Sequence, residues 1–229
     1  MVIGTGMIAT EFKSYQADDN YVIFASGVSD STHTREDAFE RESKLLNEII
    51  EQHKDKVLVY FSTCSIYDIS MKNSAYVNHK LKMEEMIIRR HSSYLIFRLS
   101  NVVGKTNNQH TVVNFFIRNI LAKQPFEVWQ HASRNIIDID DMYRACDEIL
   151  QNKLYTNTIL NIANPHNYNV LFIIETIETH FKAKGNQILV PKGSGPIIDT
   201  SIVDQIFRKF SINFGPDYFS KLLQKYFPA

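Results

Sequence analysis

Tyr76 and Lys80 stand four residues apart, a spacing that puts both side chains on one face of a helix. A lysine ammonium beside a phenol lowers the phenol's pKa from about 10 toward working pH, which suits a tyrosine that gives and takes protons. The spacing alone is weak, because a chain with 11 tyrosines meets a lysine at that distance by chance. Its neighbours add weight. Upstream, Ser62-Thr63-Cys64-Ser65-Ile66-Tyr67 places hydroxyls at the end of an apolar run. At the start of the chain, Gly4-Thr5-Gly6-Met7-Ile8-Ala9 reads G-x-G-x-x-A. In that pattern the first glycine makes a tight turn and the second lets a pyrophosphate approach the backbone. The small third residue lets a helix pack on its strand. The same six residues also fit an ordinary strand-to-helix turn.

Other reactive types are not arranged for chemistry. Eight histidines are scattered without ligand spacing, so no metal site is expected, and His79 is expected to be exposed. Cys64 and Cys146 form neither a disulfide framework nor a metal-spaced pair, and Cys64 reads as a small buried filler.

The elements that must position these residues alternate between β-rich runs and helical patterns. The chain predicts helices over 7–15, 34–53, 78–90, 112–122, 142–150 and 171–181, with strands at 21–25, 57–62, 94–99, 136–139, 158–162 and 188–190. Two short helices are expected around Gly215-Pro216. Such alternation indicates βαβ units and a mostly parallel sheet whose strands are apolar on both faces. All six prolines lie at or after Pro125, where the character of the chain changes. The expected organisation is a Rossmann-like domain over 1–105 and a smaller substrate-binding portion over 106–229, interleaved with the first.

Composition narrows the class. The chain has 229 residues, 44% of them hydrophobic, with 25 basic and 25 acidic side chains. Zero net charge argues against a protein steered to nucleic acid or membranes by bulk charge. No apolar run approaches the roughly 20 residues of a membrane span, and no signal peptide is visible, so a cytoplasmic protein is expected.

Taken in order, the motifs resemble the extended short-chain dehydrogenase/reductases, the NAD-dependent epimerase/dehydratase family that acts on nucleotide sugars. They are Gly4-Thr5-Gly6, Thr63, Tyr76-Val77-Asn78-His79-Lys80, Arg98-Leu99-Ser100-Asn101-Val102-Val103-Gly104 and Arg134-Asn135-Ile136-Ile137-Asp138. The resemblance implies NAD or NADP as cofactor, held by Gly4, Gly6, Met7, Ile8, Ala9, Ala25, Ser26, Gly27, Ser62, Tyr76 and Lys80. It implies Thr63 as the hydroxyl on the reacting sugar oxygen and Tyr76 as general acid/base. Lys80 would hold the nicotinamide ribose while tuning Tyr76. Asn101, Asn114 and Arg134 would meet the substrate's diphosphate, and Trp129 the nucleotide base. The bland alternatives are a strand-end cap for Thr63 and surface positions for Tyr76 and Lys80. Trp129 reads more readily as buried packing than as a base platform, Asn101 and Asn114 also read as turn or helix-surface residues, and Arg134 as part of an ion-pair cluster with Asp138 and Asp141.

Two departures shape the expectation. Only fourteen residues separate Gly6 from Tyr21, where the family has two further strands and a helix. The sheet is therefore expected to lack part of its adenosine-side half, along with the acidic residue that reads the adenosine ribose. The dehydratases carry Asp-Glu directly after the hydroxyl residue, and here those positions are Cys64 and Ser65. The resulting reading is an NAD(P)-dependent ketoreductase or epimerase on a nucleotide sugar, serving surface polysaccharide biosynthesis. The alternative is a catalytically weak member that binds a nucleotide sugar or a partner. The apolar positions Leu81 to Ile88 and Leu45 to Ile50 allow a homodimer.

Overall fold

The computed structural model describes residues 1–30, 36–106 and 108–229. The first strand, β1 (Val2–Ile3), is followed by α1 (Met7–Glu11) and a 3-10 turn over Phe12–Ala17. Then come β2 (Tyr21–Phe24), α2 (Glu36–Gln52), β3 (Val57–Thr63), α3 (Ala75–Arg90) and β4 (Tyr94–Leu99). The second half runs β5 (Asn101–Val103), α4 (Val112–Leu121), β6 (Pro125–Trp129), β7 (Ser133–Asp138), α5 (Ile139–Gln151) and β8 (Thr158–Ile162). It ends with β9 (Asn167–Asn169), α6 (Val170–Phe181), β10 (Asn186–Val190), α7 (Ser201–Lys209) and α8 (Tyr218–Tyr226). The helix start expected at Thr34 lies outside the described residues.

The main sheet has the order β1-β2-β3-β4-β8, with every pair parallel. Its strands are apolar on both faces because helices cover both. Ile23, Val59, Phe61, Leu95 and Phe97 point to the side of α5 and α7, where they meet Phe12, Met142, Ile149 and Phe207. Val22, Phe24, Leu58, Tyr60 and Ile96 point to the side of α2 and α3, where Leu46, Ile50, Met83 and Ile87 close the layer. The α/β, Rossmann-like expectation holds, including its shortened form. From α1 the chain passes through one 3-10 turn straight into β2, so β1 stands at the end of the sheet.

A second apolar cluster joins α4, α6 and α8 with β6, β7 and β9 through Phe116, Ile120, Phe126, Ile136, Ile173, Ile177 and Phe219. Here β5, β7 and β9 form one small sheet and β6 with β10 another. No helix among the described residues is long and apolar enough to cross a membrane. The apolar seam that allowed a homodimer is largely spent inside the chain: Leu46, Ile49, Ile50, Met83 and Ile87 are buried in its own core. Leu81 and Ile88 stay exposed.

Four helices end alike, and without glycine. Lys123, Lys153, Lys182 and Ser211 adopt left-handed φ of 50° to 53° just past α4, α5, α6 and α7. The next residue's N–H then reaches back five residues: Gln124 to Asn119 (3.1 Å), Leu154 to Ile149 (2.9 Å), Ala183 to Glu178 (3.0 Å) and Ile212 to Phe207 (3.0 Å). These bonds satisfy carbonyls that a helix end leaves orphaned.

Candidate active site

Parallel strands place all their carboxyl ends on one edge, where open α/β sheets bind ligands. A cleft of about 810 Å³ lies there. Of the sequence-predicted residues it gathers Gly6, Met7, Ile8, Ala25, Gly27, Ser62, Thr63, Tyr76, Lys80, Asn101, Trp129 and Arg134. Gly4, Ala9, Ser26 and Asn114 do not line it. Gly4 turns the chain at φ +129°, and a Cβ there would meet the Ala25 carbonyl oxygen at 2.4 Å, so the β1 turn packs directly on the end of β2. Ala9 is buried, as the small helix residue against the sheet should be. Ser26 is braced by Arg41, whose Nη2 donates to the Ser26 carbonyl at 3.2 Å. Asn114 spends its amide on the Asn108 carbonyl at 2.7 Å and so shapes the loop before α4 rather than the cleft.

Helix α3 starts earlier than its apolar pattern suggested, because Ser74 caps it: the Ser74 Oγ accepts the Val77 N–H at 3.2 Å. The cap brings Tyr76 into the first turn, where it is 7% exposed and faces Thr63. Burial pushes the Tyr76 phenol up to about 12, with the Thr63 hydrogen bond opposing the rise and Glu42 and Asp30 adding to it. The downward tuning expected from Lys80 is not realised, because that ammonium is turned to other partners. Lys80 is 2% exposed and donates to Glu42 Oε1 (3.0 Å), the Tyr60 hydroxyl (3.0 Å) and the Phe61 carbonyl (3.4 Å). Gly27 lies directly over this pair, where a Cβ would come within 2.5 Å of Lys80 Nζ and 2.9 Å of Glu42 Oε1.

Three surroundings differ from expectation. His79 is buried, not exposed: it bonds Glu42 Oε2 at 3.0 Å and stacks on Phe39 at 4.6 Å, since α3 packs on α2 along this face. Arg134 does not pair with Asp138 and Asp141. It reaches Asp68 at 3.5 Å across the cleft and its Nη1 donates to the Ser133 carbonyl at 2.9 Å. Asp138 is instead taken by Lys225 at 2.7 Å and the Tyr226 hydroxyl at 2.6 Å, and Asp141 by the Tyr218 hydroxyl at 2.8 Å. Tyr76 and Lys80 are core positions, not surface ones.

The remaining candidates are held by the second half. Asn101 donates its amide to the Asn135 carbonyl at 2.7 Å. Trp129 ends β6 with the Lys192 ammonium 4.6 Å from its ring centre, half-buried and facing the cleft. Cys64 is an inert filler: burial pushes its thiol up to about 12, and Sγ donates to the Arg98 carbonyl. Sequence reasoning missed Glu42, Asp68 and the Asn135 hub, which bonds the backbone of Asn164 on both sides of its amide.

The family model described as NAD dependent epimerase/dehydratase matches residues 8–163, beginning just past the two glycines. No curated protein is similar enough in sequence to match. Among solved structures, UDP-glucuronic acid 4-epimerase from Bacillus cereus, in complex with UDP-glucuronic acid and NAD, superposes with a TM-score of 0.73 at 19% identity, covering 93% of this chain and 76% of that one. The dTDP-glucose 4,6-dehydratase from Bacillus anthracis, in complex with NAD, gives 0.67 at 15% identity over 95% and 76%. RMD from Pseudomonas aeruginosa, complexed with NADPH, gives 0.69 at 14% identity over 96% and 95%. At these identities the likeness carries the fold. The family match spans well over half of the chain, which therefore belongs to the NAD-dependent epimerase/dehydratase family.

Proposed function

We propose that this chain is an NAD(P)-dependent ketoreductase or epimerase acting on a nucleotide-activated sugar in surface polysaccharide biosynthesis, in the cytoplasm. The observation that carries the reading is the meeting of Thr63, Tyr76, Lys80, Gly6 and Gly27 in one cleft. A nicotinamide dinucleotide fits these residues: a Cβ on Gly6 would meet nothing within 4 Å, so the backbone there is open, and Gly27 presents bare backbone beside Lys80. When bound, that group supplies hydride exchange with a sugar carbon. The chain's own part is to orient the sugar oxygen with Thr63 and to move a proton at the Tyr76 hydroxyl. Lys80 holds the ribose by giving up its longest bond, the one to the Phe61 carbonyl. Arg134 and Trp129 from the 106–229 side, with Asn101 at the end of the 1–105 cofactor side, take the nucleotide diphosphate and base. A guanidinium offers the diphosphate paired hydrogen bonds. This remote binding orients the reacting carbon. Dehydration is disfavoured because Cys64 is buried and un-ionised and Ser65 is no acid.

The test is a fluorescence titration with NADH and NADPH, with and without UDP or dTDP. Saturable micromolar binding of either cofactor is expected. Nucleotide binding without any cofactor binding overturns the enzyme reading and leaves a nucleotide-sugar binding protein.

One variant probes the cofactor side directly. In Gly27→Ala the new methyl must displace a lysine held by three hydrogen bonds and a buried carboxylate, so neither gives way cheaply. NADH affinity in the same titration should fall by about tenfold or more, which is the loss of one good hydrogen bond to a charged group. Affinity equal to the wild type would show that the dinucleotide does not use this approach.

A further inference from the structure

Every proton of the Lys80 ammonium already has an acceptor in the chain, and the one that sets its charge is Glu42. The Glu42 side chain is fully buried and accepts four hydrogen bonds. Oε1 takes the Tyr60 hydroxyl at 2.6 Å and Lys80 at 3.0 Å; Oε2 takes the Val28 N–H at 2.7 Å and pairs with the His79 ring at 3.0 Å. Burial alone would raise this carboxyl's pKa, but Lys80, His79, Tyr60 and Val28 together outweigh it and hold it at about 2. Four segments meet in the carboxylate: α2 supplies it, and β3, α3 and the turn after β2 supply donors.

We propose that Glu42 is the positioning residue of the cleft, a buried carboxylate that holds Lys80 as a fixed cation beneath Gly27. The inference rests on the reading in which Lys80 holds the nicotinamide ribose. Among the described residues no other group facing Lys80 replaces Glu42. Tyr60, on β3, donates its own proton to Glu42, and the Phe61 carbonyl is neutral. Tyr76, on the same helix as Lys80, is protonated at neutral pH. Glu84, one turn further along α3, is consumed by Arg98 through contacts of 2.9 and 2.6 Å and by the Ser62 hydroxyl at 2.5 Å. His79 reaches Lys80 only through Glu42 and carries no negative charge. With Glu42 neutral, only the charge of Glu84, itself paired with Arg98, opposes the burial that favours the uncharged form of a lysine this deep.

The experiment follows the Lys80 side-chain resonance by NMR in lysine-labelled wild type and Glu42→Gln, from pH 5 to 10, and NADH affinity over the same range. Burial already lowers the Lys80 pKa in the wild type, and with Glu42 opposite it the lysine should keep its proton to higher pH than in the variant. In Glu42→Gln it should lose its proton about 3 units or more lower, as buried unpaired lysines do. NADH binding to the variant should then weaken about tenfold across the pH range in which its Lys80 loses the proton, while the wild type shows that decline only at higher pH. A merely structural glutamate would shift neither profile. Identical Lys80 titrations in the two proteins overturn the inference, even with NADH binding intact. A wild type that binds no NADH but still shows the Lys80 shift defeats the functional reading and leaves Glu42's role standing. If Glu42→Gln does not fold, Glu42→Gln with Lys80→Met removes the unpaired buried lysine and should fold; a double variant no more stable than the single one also overturns the inference.

Discussion

Tyr76→Phe should lose about 10²- to 10⁴-fold in turnover, the usual worth of a positioned acid or base, with little change in cofactor affinity or melting temperature. The ring belongs to a small apolar cluster with Val28 and Val77, and phenylalanine keeps that packing. Only the hydroxyl beside Thr63 is lost. The direction of catalysis follows from the phenol's burial. Held near 12, Tyr76 carries its proton at neutral pH, so it is ready to donate to a carbonyl oxygen as the carbon is reduced. An acid is active below its pKa and inactive above it, so reduction should show no alkaline decline until pH nears that value. Oxidation needs the phenolate and should rise steadily with pH across the neutral range. Steady-state rates in both directions on a keto-sugar nucleotide check this. Turnover in Tyr76→Phe equal to the wild type would remove Tyr76 from the mechanism.

The largest expected stability loss lies beneath the cleft. Glu84, 3% exposed on α3, accepts from Arg98 Nε at 2.9 Å, from Arg98 Nη2 at 2.6 Å and from the Ser62 hydroxyl at 2.5 Å. It therefore fastens α3 to both β3 and β4. Glu84→Ala strands a guanidinium whose side chain is 16% exposed, with only the Tyr67 hydroxyl (3.0 Å) left to it among the side chains of the described residues. Breaking a buried pair from one side costs about 3–5 kcal/mol. For a chain of this size that lowers the melting temperature by roughly 10 °C. Removing Arg98 as well, in Glu84→Leu with Arg98→Met, should restore much of the loss, because the cost lies in the unpaired charge. Calorimetry on the three proteins decides it; a drop of less than about 2 °C in Glu84→Ala would mean that water or a neighbour replaces the carboxylate.

Much of the fold could be read because parallel strands covered on both faces leave continuous apolar runs. Val57 to Ser62, Tyr94 to Leu99 and Thr158 to Ile162 all announce themselves in this way and are found as β3, β4 and β8. β5, β6 and β9 went unseen because short strands in two- and three-stranded sheets need no such run. β6 even opens on a proline, and β9 is Asn-Tyr-Asn. In the site, Thr63, Tyr76 and Lys80 were legible through their order along the chain. Glu42 was not, although a signal exists. It stands four, seven and eight residues before Leu46, Ile49 and Ile50, which places it on the buried stripe of α2. Among so many charges in that helix, one inward carboxylate does not stand out. His79 was misjudged for the same reason, since its partner is 37 residues away and only tertiary packing brings them together.

The helix ends at Lys123, Lys153, Lys182 and Ser211 bear on how much change this protein can absorb. A side chain with a Cβ in the left-handed conformation costs roughly 1–2 kcal/mol. Glycine removes that cost in exchange for a looser unfolded chain and, at the three lysines, some charge complementarity with the helix end. None of the four lines the cleft. Separate sites without shared partners add nearly independently. The chain thus holds a reserve of stability at a distance from its chemistry, one that mutation can draw on to offset destabilising changes to substrate-contacting residues.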